Sequence, residues 1–165
     1  MKSLLFAIAA FITCAVLSAQ NQKTETQINL LLNDWHKAAA EAKYDAYFLH
    51  FSKDAIYIGT DATENWNIVQ FKAFAKPYFD KGKAWNFTTL ERHVFLSKDN
   101  NTAWFNELLD TQMKICRGSG VLIKENGQWK IAHYVLSMTI PNDNTSDVVK
   151  TKSLLEDQLI KELKK

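Results

Sequence analysis

His133, Glu107 and Asp61 are the side chains of this sequence best suited to acid–base chemistry. An imidazole can give or take a proton near neutral pH. A carboxylate withdrawn from water holds its proton more tightly and can serve as a general acid or base. Glu107 and Asp110 lie three apart in a strand-like run, so they point to opposite faces and at most one enters a cavity. Glu107 shares its parity with Phe105 and Leu109 and is the one assigned inward. Each residue also has a plainer use. Glu107 can pair with Arg117 or His133, and for it this use carries more weight; His133 can be a core histidine bonded to a carbonyl or carboxylate.

Other residues suit binding. Arg117, one of two arginines, offers a planar fork to a carboxylate of a ligand or of Glu107 or Asp110. Strict alternation from His133 puts it on the opposite face, and only a bulge near Gly118 or Gly120 would bring it inward. Asp61 and Glu64 sit in a polar loop, where they can meet a polar ligand or cap local turns. Trp35, Tyr57, Trp66, Trp85, Phe87 and Trp104 can form core or the wall of a cavity for a flat or apolar ligand. The four histidines and two cysteines show no metal-ligand spacing, so no metal is expected. No nucleophile elbow, dinucleotide fingerprint or phosphate loop occurs, and no cofactor is implied.

These residues must be positioned by a hairpin. Asn126-Gly127 between two apolar runs signals a type I′ turn. A two-residue turn pairs Lys124 with Trp129, Leu122 with Ile131 and Gly120 with His133. One face then carries Leu122, Trp129, Ile131, His133 and Val135, and the other Val121, Ile123, Ala132, Tyr134 and Leu136. Neither apolar face belongs in water. The first is expected to line a pocket and the second to meet a partner subunit.

Upstream, Ile28, Leu31, Leu32, Trp35, Ala38, Ala39 and Ala42 fall at helical spacing within 24–42. A short helix over 44–51, a strand over 54–59 and a polar loop over 60–66 follow. A helix over 68–76 is capped by Asn67, and Pro77 should kink or end it. Long strands are expected over 85–96 and 102–113, then the hairpin, then an amphipathic helix over 146–163. Helices gathered before a meander of antiparallel strands indicate an α+β domain. Long strands must twist, so the sheet should curl around the helices as a cone with an internal cavity.

Two stretches carry a family resemblance: Ile58-Gly59-Thr60-Asp61-Ala62-Thr63-Glu64-Asn65-Trp66, and Arg117-Gly118-Ser119-Gly120-Val121 with the strand GQWKIAHY. With the element order, they resemble the SnoaL-like branch of the nuclear-transport-factor-2-like superfamily, from roughly residue 28 to 140. The hairpin is also similar to the association domain of calmodulin-dependent protein kinases. The resemblance implies a cone-shaped cystatin-like roll, a pocket between sheet and helices, and homodimerisation through the outer sheet face. It does not fix a chemistry, because one fold hosts many.

The N-terminus carries Lys2, an apolar run from Leu4 to Leu17, and Ser18-Ala19-Gln20. This reads as a signal peptide and is too short for a spanning helix of about 20 residues. Cys14 lies inside the run and follows Thr13, which favours cleavage near Ala19 or Gln20 over lipidation. The expected organisation is a signal peptide over 1–20, the SnoaL-like domain over 21–141 and a helical tail over 142–165. The net charge of +2, without basic or acidic blocks, makes nucleic acid and anionic membrane poor partners. The expectation is an exported, periplasmic or secreted, dimeric domain binding a small, partly apolar ligand. The alternatives are a small isomerase, cyclase or hydrolase using a pocket carboxylate with His133, and an assembly module.

Overall fold

The computed structural model describes residues 2–165, with side chains from Ala19 onward. The side chains of most of the expected signal peptide therefore lie outside the described residues. The chain forms α1 (Lys2–Ala40), α2 (Tyr44–Leu49), β1 (Phe51–Ile58), β2 (Asn65–Asn67), α3 (Ile68–Asp80), β3 (Thr88–Leu96), β4 (Thr102–Thr111), β5 (Lys114–Glu125), β6 (Gln128–Met138), a 3-10 turn (Asn142–Asn144) and α4 (Thr145–Leu163). Among the described residues, no helix is long and apolar enough to cross a membrane.

The six strands form one sheet in the order β2-β1-β6-β5-β4-β3. It is mixed rather than wholly antiparallel, because β1 lies parallel to β6, with Ile56 beside His133 and Tyr57 beside Tyr134. Adjacent strands announce themselves through their turns, whereas a pairing between the first long strand and the last has no local signal. Ile28, Leu32, Trp35 and Ala39 line the buried stripe of α1; Tyr47 and Phe48 from α2 and Phe71, Ala75 and Phe79 from α3 complete the helical side of the core. Asn67 caps α3 by accepting from the backbone of Val69 and Gln70, and Gln70 reciprocates to the Asn67 N–H. Pro77 does not end this helix, which continues to Asp80.

The β5–β6 hairpin turns on Asn126 (φ 51°) and Gly127 (φ 79°), the positive values a type I′ turn demands. Lys124 pairs with Trp129 and Leu122 with Ile131, as the turn dictates. Beyond that point the register shifts. Val121 pairs with His133 and Gly120 with Tyr134, leaving Ala132 as the extra residue of a β-bulge. A Cβ on Gly120 would stand 2.6 Å from the His133 carbonyl oxygen, so the bulged strand needs glycine opposite it.

Candidate functional site

One extra residue in β6 exchanges the fates of two side chains. Tyr134, expected on the outer face, turns inward and is fully buried, while His133 turns outward. His133 therefore does not share the face of Trp129 and Ile131. Arg117 lies exposed within β5, between Leu108 and Ser137 of the neighbouring strands, and stays off the concave face, as plain alternation along β5 implies. The bulge is in β6, not at the β5 glycines, so it leaves Arg117 where it was.

Glu107 enters the interior from β4 and is 1 % exposed. Its partners are neither Arg117 nor His133. His36 Nε2 from α1 lies 2.9 Å from Oε1, and the Tyr134 hydroxyl donates to the same oxygen at 3.3 Å. Arg92 from β3 donates to Oε2 through Nε at 2.9 Å and Nη2 at 2.8 Å. The remaining guanidinium donors reach Thr89 Oγ1, the Asn29 carbonyl and Asn33 Oδ1. Burial alone would raise the Glu107 pKa. The His36 hydrogen bond and charge, followed by Arg92, outweigh that and hold it below the ordinary value. Glu107 is thus an ionised anchor joining α1, β3, β4 and β6, not a proton-holding acid. Since an ionised carboxylate only accepts, His36 must carry hydrogen on Nε2.

Gly118, the β5 partner of Glu107, makes this packing possible. A Cβ there would collide with the Tyr134 hydroxyl and stand 2.9 Å from Glu107 Oε1. The Arg-Gly-Ser-Gly-Val motif therefore serves the interior through its two glycines, one admitting the Glu107–Tyr134 pair and the other the bulge.

A cavity of about 180 Å³ opens between α3, the loop after β1 and the start of the sheet. Its apolar wall includes Tyr57, Trp66, Phe71, Phe74, Trp85 and Phe87, closed by Met113 and Leu136. Phe71 stacks on Tyr57 with centroids 3.8 Å apart, and Trp66 stacks on Phe74 at 4.4 Å. The polar rim is Thr60, Glu64 and Gln112. Glu64 is half-buried, and one of its oxygens accepts from the Asp61 N–H at 3.2 Å. Gly59 lets this carboxylate lie against the strand end, where a Cβ would collide with it. The Glu107 network stands behind the inner wall, with Phe87 6.0 Å from His36 and Tyr57 5.4 Å from Tyr134 between ring centroids.

Of the residues singled out from the sequence, Tyr57, Glu64, Trp66, Trp85 and Phe87 meet in this cavity, whereas Trp104 lies exposed on the outer face. Trp35 is core, packed among Tyr47, Phe51 and Tyr134. Asp61 accepts from the Thr63 N–H and hydroxyl at 2.9 and 2.6 Å and faces a separate depression beside α4. These hydrogen bonds lower its pKa, so it too is an ionised turn-former. The reading from sequence missed Phe71 and Phe74 in the wall, and His36 and Arg92 in the network. Phe71 and Phe74 were visible as an i, i+3 aromatic pair on one helix face.

N-terminal helices packed into a curved, six-stranded mixed sheet are the architecture of the nuclear-transport-factor-2-like roll. The SnoaL-like domain profile matches residues 28–141, and the chain belongs to that family. Among solved structures, it is similar to a nuclear-transport-factor-2-like protein from Pseudomonas putida (TM-score 0.63, 14% identity, covering 74% of this chain and 92% of that one). It is also similar to a putative aromatic ring hydroxylase from Novosphingobium aromaticivorans (TM-score 0.62, 14% identity, 72% and 91% covered). A third is a putative calcium/calmodulin-dependent kinase II association domain from Exiguobacterium sibiricum (TM-score 0.54, 18% identity, 72% and 95% covered). At these identities the likeness is one of fold. No curated protein sequence matches the chain.

Proposed function

We propose that this protein is an exported SnoaL-like domain that binds a small, partly apolar ligand in the mouth cavity. The observation that carries the reading is the cavity itself: six aromatic side chains around about 180 Å³, joined by Thr60, Glu64 and Gln112. Such a lining rewards apolar burial and uses a few polar contacts for orientation. Against the enzyme alternative, Glu107 lies inside the sheet and His133 outside, and Asp61, the other carboxylate it could use, is bonded to Thr63 in its own turn. Glu107 and His36 do not line the cavity and are satisfied by each other, Arg92 and Tyr134, which favours a structural role.

The lysine-led apolar N-terminus supports export, and cleavage near residue 20 would keep Thr24 and the buried stripe of α1. The outer sheet face supports a homodimer. One cross-strand row runs Phe95, Trp104, Val121, His133 and Ile56, and Trp104 is 47% exposed. An apolar row of this length across a sheet is a surface that a second copy can cover.

Tryptophan emission tests the ligand reading, since Trp66 and Trp85 stand in the cavity wall. Titration with small aromatic and aliphatic compounds should give saturable changes that disappear in a Trp66→Phe, Trp85→Phe double variant. Absence of saturable change across such compounds would reject the reading.

A further inference from the structure

The mouth cavity has a charge character that size and apolarity alone do not express. Among the described residues that line it, Glu64 is the one charged side chain, and no lysine, arginine or histidine joins it. Glu64 makes no ion pair among the described residues, and its recorded hydrogen bond is the one received from the Asp61 N–H. A half-buried carboxylate with one oxygen so engaged keeps acceptor capacity on the other.

The remaining wall has the same electrostatic sense. Aromatic ring faces are negative, and cations are attracted to them within about 6 Å of the centroid. Tyr57 stacks on Phe71 with centroids 3.8 Å apart and Trp66 on Phe74 at 4.4 Å, so the facing sides within each pair are covered and only outer faces are left for a ligand. An anion would meet the Glu64 carboxylate and ring faces without a compensating donor cluster. A divalent metal ion would find one carboxylate where it needs about six oxygen ligands. A compact organic cation gains from the carboxylate and from the ring faces left uncovered.

From this juxtaposition of an unpaired Glu64 carboxylate with the aromatic wall, we infer that the cavity selects small organic ammonium compounds over neutral and anionic molecules of the same shape. The inference rests on the ligand-binding reading above and adds the class of ligand. Glu64 faces the cationic nitrogen at the rim, and the rings surround its alkyl groups.

The test uses three probes of one shape: choline, 3,3-dimethylbutan-1-ol, in which carbon replaces the charged nitrogen, and 3,3-dimethylbutanoate. Calorimetric titration of the mature chain should show choline binding about tenfold or more tightly than the alcohol, and no binding of the carboxylate. Glu64→Gln retains an oxygen for the Asp61 N–H, so the loop keeps its bond. In that variant choline should weaken about tenfold, while the alcohol is unchanged. Alcohol binding as tight as choline, or choline binding unchanged in Glu64→Gln, overturns the inference but leaves the ligand-binding reading intact. No saturable choline binding also overturns it, and the ligand reading then stands or falls on the neutral probes. The wild-type comparison of the three probes decides the matter even if Glu64→Gln unfolds.

Discussion

Glu107 on β4 and His36 on α1, 71 residues apart in sequence, meet at 2.9 Å in the core, with Glu107 sealed from solvent. Arg92 closes the other side of the same carboxylate, so the charge is compensated by the guanidinium and every element touching it is held in register. Such an anchor is conditional: intact, it specifies packing, but with one partner removed it leaves a charge buried.

Glu107→Gln should therefore destabilise the fold by about 3–5 kcal/mol at neutral pH, because Arg92 loses its counter-charge in the interior. Urea unfolding checks this. The sign of the pH dependence follows from the depressed Glu107 pKa: its contribution is present above the unfolded carboxyl value of about 4.3 and is lost as pH falls through the lower folded value. The gap between wild type and Glu107→Gln should narrow below about pH 4.

Gly118→Ala should cost about 1–3 kcal/mol, since its Cβ would strike the Tyr134 hydroxyl and crowd Glu107. Tyr134→Phe removes the struck atom. The double variant should then be less destabilised than the sum of the two single changes, a coupling that a double-mutant cycle in urea measures.

Asn67→Ala removes the acceptor for two backbone N–H groups at the start of α3. The expected loss is about 1 kcal/mol by thermal unfolding. Because Phe71 and Phe74 project from this helix into the cavity wall, ligand affinity should fall with it.

Val121→Glu places a charge in the middle of the outer row between Trp104 and His133. If a second copy covers that row, light scattering should show a dimer for the wild type and a monomer for the variant, with unfolding little changed. A monomeric wild type would contradict the dimer.

The sequence carried the fold well, because periodicity, the Asn126-Gly127 turn and the Asn67 cap are local signals that tertiary packing did not override. It carried the interior of the site poorly. The bulge at Ala132 has no side-chain signature, yet it decides whether His133 or Tyr134 meets Glu107. The parallel β1–β6 pairing is likewise non-local, and it brings Tyr57 beside Tyr134 behind the cavity. Parity along β4 did indicate which acid turns inward. Its partners, His36 on a helix and Arg92 on another strand, were fixed only by how α1 lies across the sheet. The polar loop gave up half its candidates, since Asp61 closes its own turn while Glu64 reaches the cavity rim.

The central claim, that the mouth cavity is the binding site, is tested most directly by filling it. Met113 lies at the cavity's edge and is partly buried, so Met113→Trp should occupy much of the roughly 180 Å³ without opening the Glu107 network. Native mass spectrometry of the protein with a library of small, partly apolar compounds should show one-to-one complexes for the wild type and their loss in a folded Met113→Trp variant. Equal retention of the same compounds by both proteins would contradict the account.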